Sequence, residues 1–158
     1  MAVNYLEGIV SEWYSYQGYF IRQNILVGKR PNGGYDCELD VVAFHPEKRH
    51  LVHIEPSMDT SSWPEREKRY KKKFEIGRKH IPALFKGLID SSQEIEQIAL
   101  FAYASNKNYK TIGGGRVMLV KELMQEIIAE LKGKKLAKEA IPESWVSLRT
   151  IQFVLEFG

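Results

Sequence analysis

The sequence predicts an α/β protein, with a central mixed β-sheet flanked by helices, and three observations support this class. Segments with apolar residues at helical spacing are interspersed with short runs rich in Val, Ile, Leu and Phe. The predicted order is one helix, three strands, one helix, two strands and two helices, which suits one sheet covered by helices. The length of 158 residues is typical of one domain. We expect a single domain over residues 1–158, with its core at about 4–132 and a helical extension at about 140–158.

The first part of the chain predicts a helix followed by a strand. Apolar residues at helical spacing run from Asn4 to about Gln17, and Gly18 is a typical residue for the end of a helix. Tyr19 to Val27 has the composition of a strand, and the Pro and Gly residues between Lys29 and Tyr35 predict a turn. An amphipathic helix of this kind is expected to pack on the sheet.

Two apolar runs joined by the polar segment Pro46 to Arg49 predict a β-hairpin. If His45 pairs with His50, then Asp40 on the first strand lies directly opposite Glu55 on the second. Like charges opposite each other on a packed face are destabilising unless a cation neutralises them. The hairpin therefore predicts a divalent-cation site at its two carboxylates.

Further carboxylates precede this pair. Asp36, Glu38 and Asp40 alternate along the strand, so we expect all three side chains on one face, together with Glu55 from the partner strand. Carboxylate oxygens are the ligands that Mg²⁺ prefers in proteins. Glu38 is therefore a candidate for an outer ligand or a ligand to a second ion.

A helix with many cations is predicted directly after the hairpin. It starts at Pro64, runs to about His80, and is expected to end before Pro82. At about 100° per residue, some of its cations flank the inner apolar stripe and others point outward. The flanking residues are Arg66, Lys71 and Lys73, and the outward residues are Lys68 and Lys72. All five are candidates for contact with a nucleic-acid backbone, although a solvated helix face has the same pattern.

The second half of the chain predicts two strands and two helices. In order, we expect an apolar segment (Ala83 to Ile89), a buried strand (Ile95 to Ala104), a polar loop (Ser105 to Lys110), a mobile turn (Gly113 to Gly115), a short strand (Val117 to Val120), a helix (Lys121 to Leu131) and a terminal helix (Ala140 to Gly158). A strand is the alternative for Thr150 to Val154, because β-branched residues occur there. The apolar stripe of the terminal helix either completes the core or forms a homodimer surface.

Composition limits the chemistry that the chain can perform. The net charge of +3 permits an anionic partner without requiring one. Cys37 is the single cysteine, which excludes an internal disulfide and a cysteine-based zinc site made by this chain alone. His45, His50 and His53 are spread around one hairpin, which does not favour a zinc site. The N-terminal residues lack the pattern of a signal peptide and no apolar run is long enough to span a membrane, so we expect a cytoplasmic protein.

The spacing of Asp40, Glu55 and the residue two positions later resembles the motif of the PD-(D/E)XK (restriction-endonuclease-like) nuclease superfamily. In that family, an Asp on one strand and a Glu-x-Lys on the next bind Mg²⁺ and activate water for phosphodiester cleavage. The resemblance implies that Asp40, Glu55 and the main-chain carbonyl of Pro56 bind Mg²⁺ or Mn²⁺. It also implies a role for Glu7, because related nucleases carry a glutamate on the first helix.

This sequence departs from the family motif at the lysine, where it has Ser57. Serine supplies no positive charge, but some members of the superfamily carry the lysine on the neighbouring helix. Lys71 and Lys73 are the candidates for that role here. The resemblance thus implies a restriction-endonuclease-like core and a Mg²⁺-dependent nuclease that acts on nucleic acid, in the first place DNA.

Two other functions are compatible with the same residues. One is a degenerate nuclease fold that binds nucleic acid or a protein partner without cleavage, which Ser57 favours. The other is a structural or regulatory α/β domain in which Asp40 and Glu55 pair with buried Arg or Lys. An ion that binds only the folded state must raise thermal stability, and the second alternative predicts no such effect of Mg²⁺ or Mn²⁺.

Overall fold

The structure is a computed structural model that describes residues 4–105 and 107–158. Asn106, in the predicted polar loop, lies outside the described residues. The elements are α1 (Tyr5–Tyr16), β1 (Phe20–Lys29), β2 (Tyr35–His45), β3 (His50–Ser57), α2 (Trp63–Leu84), β4 (Ile95–Phe101), β5 (Thr111–Ile112), β6 (Gly115–Leu119), α3 (Val120–Leu131), α4 (Leu136–Glu139) and α5 (Val146–Phe157).

The predicted α/β class is confirmed, since one six-stranded mixed sheet is flanked by helices. The strand order is β1-β2-β3-β4-β6-β5. The first three strands form an antiparallel meander, β4 and β6 continue it in parallel, and β5 pairs antiparallel with β6. Helices α1, α3 and α5 cover one face of the sheet, and α2 covers the other. Within the described residues, no helix is long and apolar enough to cross a lipid bilayer.

The local signals at the start of the chain predict the structure well. Asn4 caps α1, and its side-chain oxygen accepts hydrogen bonds from the backbone N–H groups of Leu6 and Glu7. The hairpin has the predicted register, with His45 opposite His50. Strand β1 extends two residues further than predicted, to Lys29.

Helix α2 is longer than predicted, because Pro82 lies inside its last turn and the helix ends at Leu84. Proline removes one helical hydrogen bond and disturbs the preceding turn. Ile81 and Phe85 flank this turn and are buried in the core against the sheet. Their burial holds the last turn in place despite the missing hydrogen bond.

The glycine run at 113–115 is packed tightly, so the prediction of a mobile turn is wrong. Gly113 and Gly115 are buried, and the N–H of Gly113 donates to the carboxylate of Glu67 at 3.1 and 3.3 Å. A Cβ atom on Gly113 would lie 2.6 Å from the backbone nitrogen of Lys71, and one on Gly115 would lie 2.4 Å from the ring of Phe74. The glycines therefore let the β5–β6 turn lie directly against α2.

The C-terminal segment is helical, as predicted, and belongs to the core. Leu148 of α5 and Ile141 before it are buried with residues of α1 and α3. The short α4 and the two-residue strand β5 are additions that the sequence pattern did not predict. One side of α5 remains exposed, including Phe153 and Phe157.

Candidate functional site

The candidate site lies where β2 and β3 separate. The two strands pair from His45 and His50 to Val41 and Ile54, and then β2 continues along β1 while β3 continues along β4. Asp40 and Glu55 follow immediately after the last pair. The backbone N–H of Asp40 donates to Oε1 of Glu55 at 3.2 Å. The hairpin therefore brings Asp40 and Glu55 together, as predicted.

Helix α2 brings a lysine to this pair of carboxylates. Nζ of Lys73 lies 2.8 Å from Oε2 of Glu55 and 3.6 Å from Oδ1 of Asp40. The hydroxyl of Tyr70, one turn earlier, donates to the carbonyl of Glu55 at 3.0 Å and joins the helix to β3. Lys71 is exposed, and its backbone packs against the turn at 113–115. Of the two lysines considered from the sequence, Lys73 is the one at the carboxylates.

Burial and mutual contact shift the pKa values of the Asp40 and Glu55 carboxyls in opposite directions. Burial raises the pKa of Asp40 to about 8, and the hydrogen bond with Glu55 and the charge of Glu55 act in the same direction. Burial alone would also raise the pKa of Glu55, but hydrogen bonds from His53 and Asp40 and the positive charge of Lys73 lower it overall. Burial alone would lower the pKa of Lys73, but the negative charges of Glu55 and Asp40 raise it overall. Glu55 is therefore the more acidic of the two carboxyls, and Asp40 is the one that holds a proton more tightly.

Glu7 of α1 belongs to the same cluster. It lies in the first turn of the helix, where the side-chain amide of Asn4 donates to its Oε1 at 3.0 Å. Partial burial and the negative charges of Glu55 and Glu38 raise the pKa of Glu7, while the charge of Lys73 opposes them. The position that the resemblance singled out on the first helix is thus electrostatically coupled to the carboxylate pair.

The alternation of side chains along β2 changes at Asp40, which corrects the prediction for Glu38. Val42 packs in the cluster beneath α2, and strict alternation would place Glu38 on that face. Instead, Leu39 packs in that cluster, whereas Val41 packs on the α1 side. Asn24, the residue of β1 at the level of Asp40, has a positive φ of 51°. Glu38 therefore lies on the opposite face of the sheet from Leu39 and Val42. There its negative charge raises the pKa of Glu7.

Ser57, at the position of the family lysine, belongs to a neighbouring network. Its hydroxyl donates to the carboxylate of Asp59 in the β3–α2 connection. The same carboxylate accepts hydrogen bonds from Arg66, Arg69 and the N–H of Ser61. Burial opposes ionisation of Asp59, but these contacts lower its pKa strongly. Ser57 is thus a polar neighbour of the carboxylate pair, held by Asp59.

Arg66 is buried, so the prediction that it contacts a nucleic-acid backbone is wrong. Its exposed fraction is 2%, and its guanidinium lies 4.4 Å from the centroid of the Phe101 ring. Nη2 donates to the carbonyls of Asp59 and Tyr103, both at 2.8 Å. These contacts fix the β3–α2 connection to the end of β4. The sequence pattern placed Arg66 beside the apolar stripe but gave no sign of these partners.

The other predicted backbone contacts lie on the surface of α2. Lys68, Lys71 and Lys72 are exposed. Trp63 packs edge-to-face on Phe101 and stacks on Tyr109. The surface near the carboxylates therefore retains exposed lysines, whereas Arg66 and Trp63 have packing roles.

Two residues that the sequence analysis did not select contact the site from within the sheet. His53 Nε2 lies 2.7 Å from Oε1 of Glu55, and its Nδ1 lies 3.0 Å from Nε2 of Gln97. The other hairpin histidines are elsewhere, with His45 and His50 packed around the ring of Tyr19. The three histidines therefore lie at two separate places, with His53 at Glu55 and the other two at Tyr19.

The donor set suits a hard divalent cation. Asp40, Glu55 and Glu7 supply carboxylate oxygens, which Mg²⁺ and Mn²⁺ prefer; the ammonium group of Lys73 contacts Asp40 and Glu55, and its charge acts on Glu7. Pro56 is buried in β3, next to Glu55 and paired with Leu100. Across residues 4–105 and 107–158, no three His, Cys, Asp or Glu side chains are already arranged around a common metal position. A cation would thus require a carboxyl to move or to lose its proton.

Comparisons of the chain with protein-family models, with curated proteins and with solved structures gave no match. The interpretation of the site therefore depends on its own geometry and on the motif resemblance in the sequence.

Proposed function

We propose that the protein is a divalent-cation-dependent nuclease with a restriction-endonuclease-like core, in which Lys73 takes the role of the motif lysine. The observation that carries the proposal is the contact of Lys73 Nζ with both Glu55 and Asp40, at 2.8 and 3.6 Å. The ammonium group of Lys73, on the helix that follows the hairpin, thus lies beside the carboxylate pair, although Ser57 occupies the position of the motif lysine.

In this proposal, the carboxylates of Asp40 and Glu55, with Glu7 as an outer ligand, hold Mg²⁺ or Mn²⁺. When bound, such an ion lowers the pKa of a water molecule and neutralises charge that develops on the phosphate. The carbonyl of Pro56 is a further ligand candidate from the sequence motif. All of these donors are oxygen atoms, which is the chemistry that these ions prefer.

The remaining residues of the site orient these groups and supply charge. Glu55 stays ionised because His53, Asp40 and Lys73 all stabilise its anion. The side chain of Lys73 is 28% exposed, so its ammonium group can meet a phosphate that enters from solvent. A positive group placed before the reaction stabilises developing negative charge in a partly buried site.

The exposed lysines of α2 suit the backbone of a nucleic acid, with DNA as the first substrate to test. Lys68, Lys71 and Lys72 lie on the same helix as Lys73, within about one and a half helical turns of it. Each phosphate contact releases counterions, so binding through these residues should weaken as salt increases.

Cleavage of linear, supercoiled, single-stranded and branched DNA with Mg²⁺ or Mn²⁺ tests the proposal. We expect metal-dependent cutting by the wild type, no cutting by Asp40→Ala, and a rate about 10²- to 10³-fold lower for Lys73→Ala. Lys79→Ala is the matched control, because it removes an exposed lysine of the same helix that is assigned neither to Glu55 nor to the nucleic-acid backbone. Equal activity of the Lys73→Ala and Lys79→Ala proteins would refute the role assigned to Lys73.

A non-catalytic function is the second candidate, and one observation favours it. Lys73 already neutralises Glu55, and Asp40 retains a proton, so the cluster is balanced without a cation. This is the arrangement expected of a domain that binds nucleic acid or a protein partner without cleavage, or of a purely structural pair. This candidate would be favoured if the wild-type protein binds the DNA panel but cuts none of it. Its melting temperature should then be unchanged by Mg²⁺ and Mn²⁺.

A further inference from the structure

A chain of buried hydrogen bonds runs from the surface of α2 to the carboxylate of Glu55. Arg78 Nη1 donates to Oε1 of Gln97 at 2.6 Å, Gln97 contacts His53, and His53 contacts Glu55 at 2.7 Å. The exposed fractions of Gln97, His53 and Glu55 are 5%, 0% and 1%. Polar groups this deep in the sheet are costly unless each hydrogen-bonding atom has a partner.

The orientation of the Gln97 amide follows from its two outer partners. Arginine has only donors, so the amide atom next to Arg78 must be the oxygen. The backbone carbonyl of Phe74 is only an acceptor, so the atom 2.9 Å from it must be the amide nitrogen. The second hydrogen of that nitrogen then points at Nδ1 of His53, 3.0 Å away.

This orientation decides which nitrogen of His53 carries the proton. A hydrogen on Nδ1 would face the N–H of Gln97, so Nδ1 must accept and Nε2 must carry the hydrogen. The N–H at Nε2 donates to Oε1 of Glu55, which also accepts from the backbone of Asp40. The other oxygen, Oε2, remains on the side of Lys73.

We infer that His53 is a positioning residue: Gln97 and the Glu55 carboxylate together hold it in one tautomer, and it fixes the rotation of that carboxylate. Oε1 is thereby bound within the sheet, and Oε2 is presented to the Lys73 side of the site. The part of this inference that concerns cation binding rests on the proposed function. The tautomer and the orientation do not depend on it.

Residues of α2 restrict the His53 ring on two sides. A Cβ atom on Gly77 of α2 would lie 2.6 Å from both Cε1 and Nδ1 of His53, so only glycine allows this contact. On another side, the ring of Phe74 packs edge-to-face on the imidazole, with 5.3 Å between the centroids. The helix that brings Lys73 to Glu55 therefore also clamps the ring that orients Glu55.

The first test is NMR of the metal-free protein with ¹⁵N-labelled histidine, at neutral pH. The His53 signals are assigned by their loss in the His53→Gln protein. We expect one tautomer, with hydrogen on Nε2 and none on Nδ1. In Gln97→Leu, which leaves His53 in place, Nδ1 loses its donor, so we expect its ¹⁵N signal to shift while Glu55 keeps the hydrogen on Nε2. Hydrogen on Nδ1 in the wild type, or an unchanged Nδ1 signal in Gln97→Leu, would overturn the inference.

The second test is Mn²⁺ affinity by calorimetry. We expect about ten- to a hundredfold weaker binding by His53→Leu, which is the usual loss when a residue that orients a ligand is removed. His53→Gln should regain most of this loss, since its amide keeps an N–H donor near the position of Nε2. His50→Gln is the matched control on the same strand, and its affinity should equal that of the wild type. Circular dichroism shows whether each variant folds, and Gln97→Leu replaces His53→Leu if the latter does not.

The two tests separate the inference from the proposed function. Wild-type protein that binds no Mn²⁺ would overturn the proposed function and the cation part of the inference, while NMR would still decide the tautomer. Equal Mn²⁺ affinity of the wild type and His53→Leu would overturn the positioning role even if the protein cuts DNA.

Discussion

Cation binding should release a proton from Asp40. Burial and the contact with Glu55 raise the pKa of Asp40 to about 8, so this carboxyl tends to keep its proton at pH 7. A carboxyl must be ionised to ligate a cation, so Mg²⁺ or Mn²⁺ has to displace the proton. We expect most of one proton to be released per ion at pH 7, and close to none well above the raised pKa of Asp40.

The same reasoning predicts the pH dependence of affinity. Below pH 8, each unit of pH should change the dissociation constant about tenfold, or about 1.4 kcal/mol, and the affinity should level off above pH 8. Glu7 acts in the same direction, because burial raises its pKa as well.

Calorimetric titration with Mn²⁺ in two buffers of different ionisation enthalpy measures the number of protons released. Asp40→Asn is the control, since an amide keeps the shape of the side chain but has no proton to release by ionisation. Tight binding at pH 7 without proton release, or a dissociation constant that is equal at pH 6 and pH 8, would refute a protonated Asp40 in the metal-free protein.

The remaining predictions concern stability and the position of the lysine. Without a cation, the protein should lose stability as pH rises from about 4 to about 8 and change little above that, because folding raises the pKa of Asp40 and the folded state alone binds this proton in that range; added Mg²⁺ should reduce this loss in thermal melts. DNA cleavage lost in the Lys73→Ala protein should be partly restored by the second substitution Ser57→Lys. If it is not restored, Lys73 does not take the role of the motif lysine. Arg66→Met should destabilise by about 3 kcal/mol in urea unfolding, because its buried partners lose their donor, whereas the exposed control Lys68→Met should change stability by less than about 0.5 kcal/mol. Gly113→Ala should cost about 1–3 kcal/mol more than Gly114→Ala, since both have positive φ but only Gly113 would place Cβ against the Lys71 backbone.

Much of the fold could be predicted because its signals are local. The hairpin register follows from a short turn between two apolar runs, and the structure has His45 opposite His50 as expected. The helix containing Lys73 also begins close to the predicted Pro64. Its end was missed, because the burial of Ile81 and Phe85 outweighs the local effect of Pro82.

The candidate site was predictable only where it depends on one strand pair. Asp40 and Glu55 meet because the hairpin register brings them together. Glu38 was placed on the wrong face, because the positive φ of Asn24 and the change of alternation at Asp40 have no signature in the apolar pattern. In the sequence, Arg66 cannot be distinguished from the neighbouring lysines and arginines, because a sequence does not show which positively charged side chain meets buried hydrogen-bond acceptors.

The sequence by itself determined the α/β class, the hairpin and the proximity of the Asp40 and Glu55 carboxyls, because periodicity and turn length act over a few residues. Only the tertiary structure decided that Lys73, rather than Lys71, reaches Glu55, and that His53 orients it. The physical reason is that the rotation and depth of α2 on the sheet depend on contacts between distant segments. Gly77 against His53 and Gly113 against the helix backbone set that depth to within the size of one methyl group.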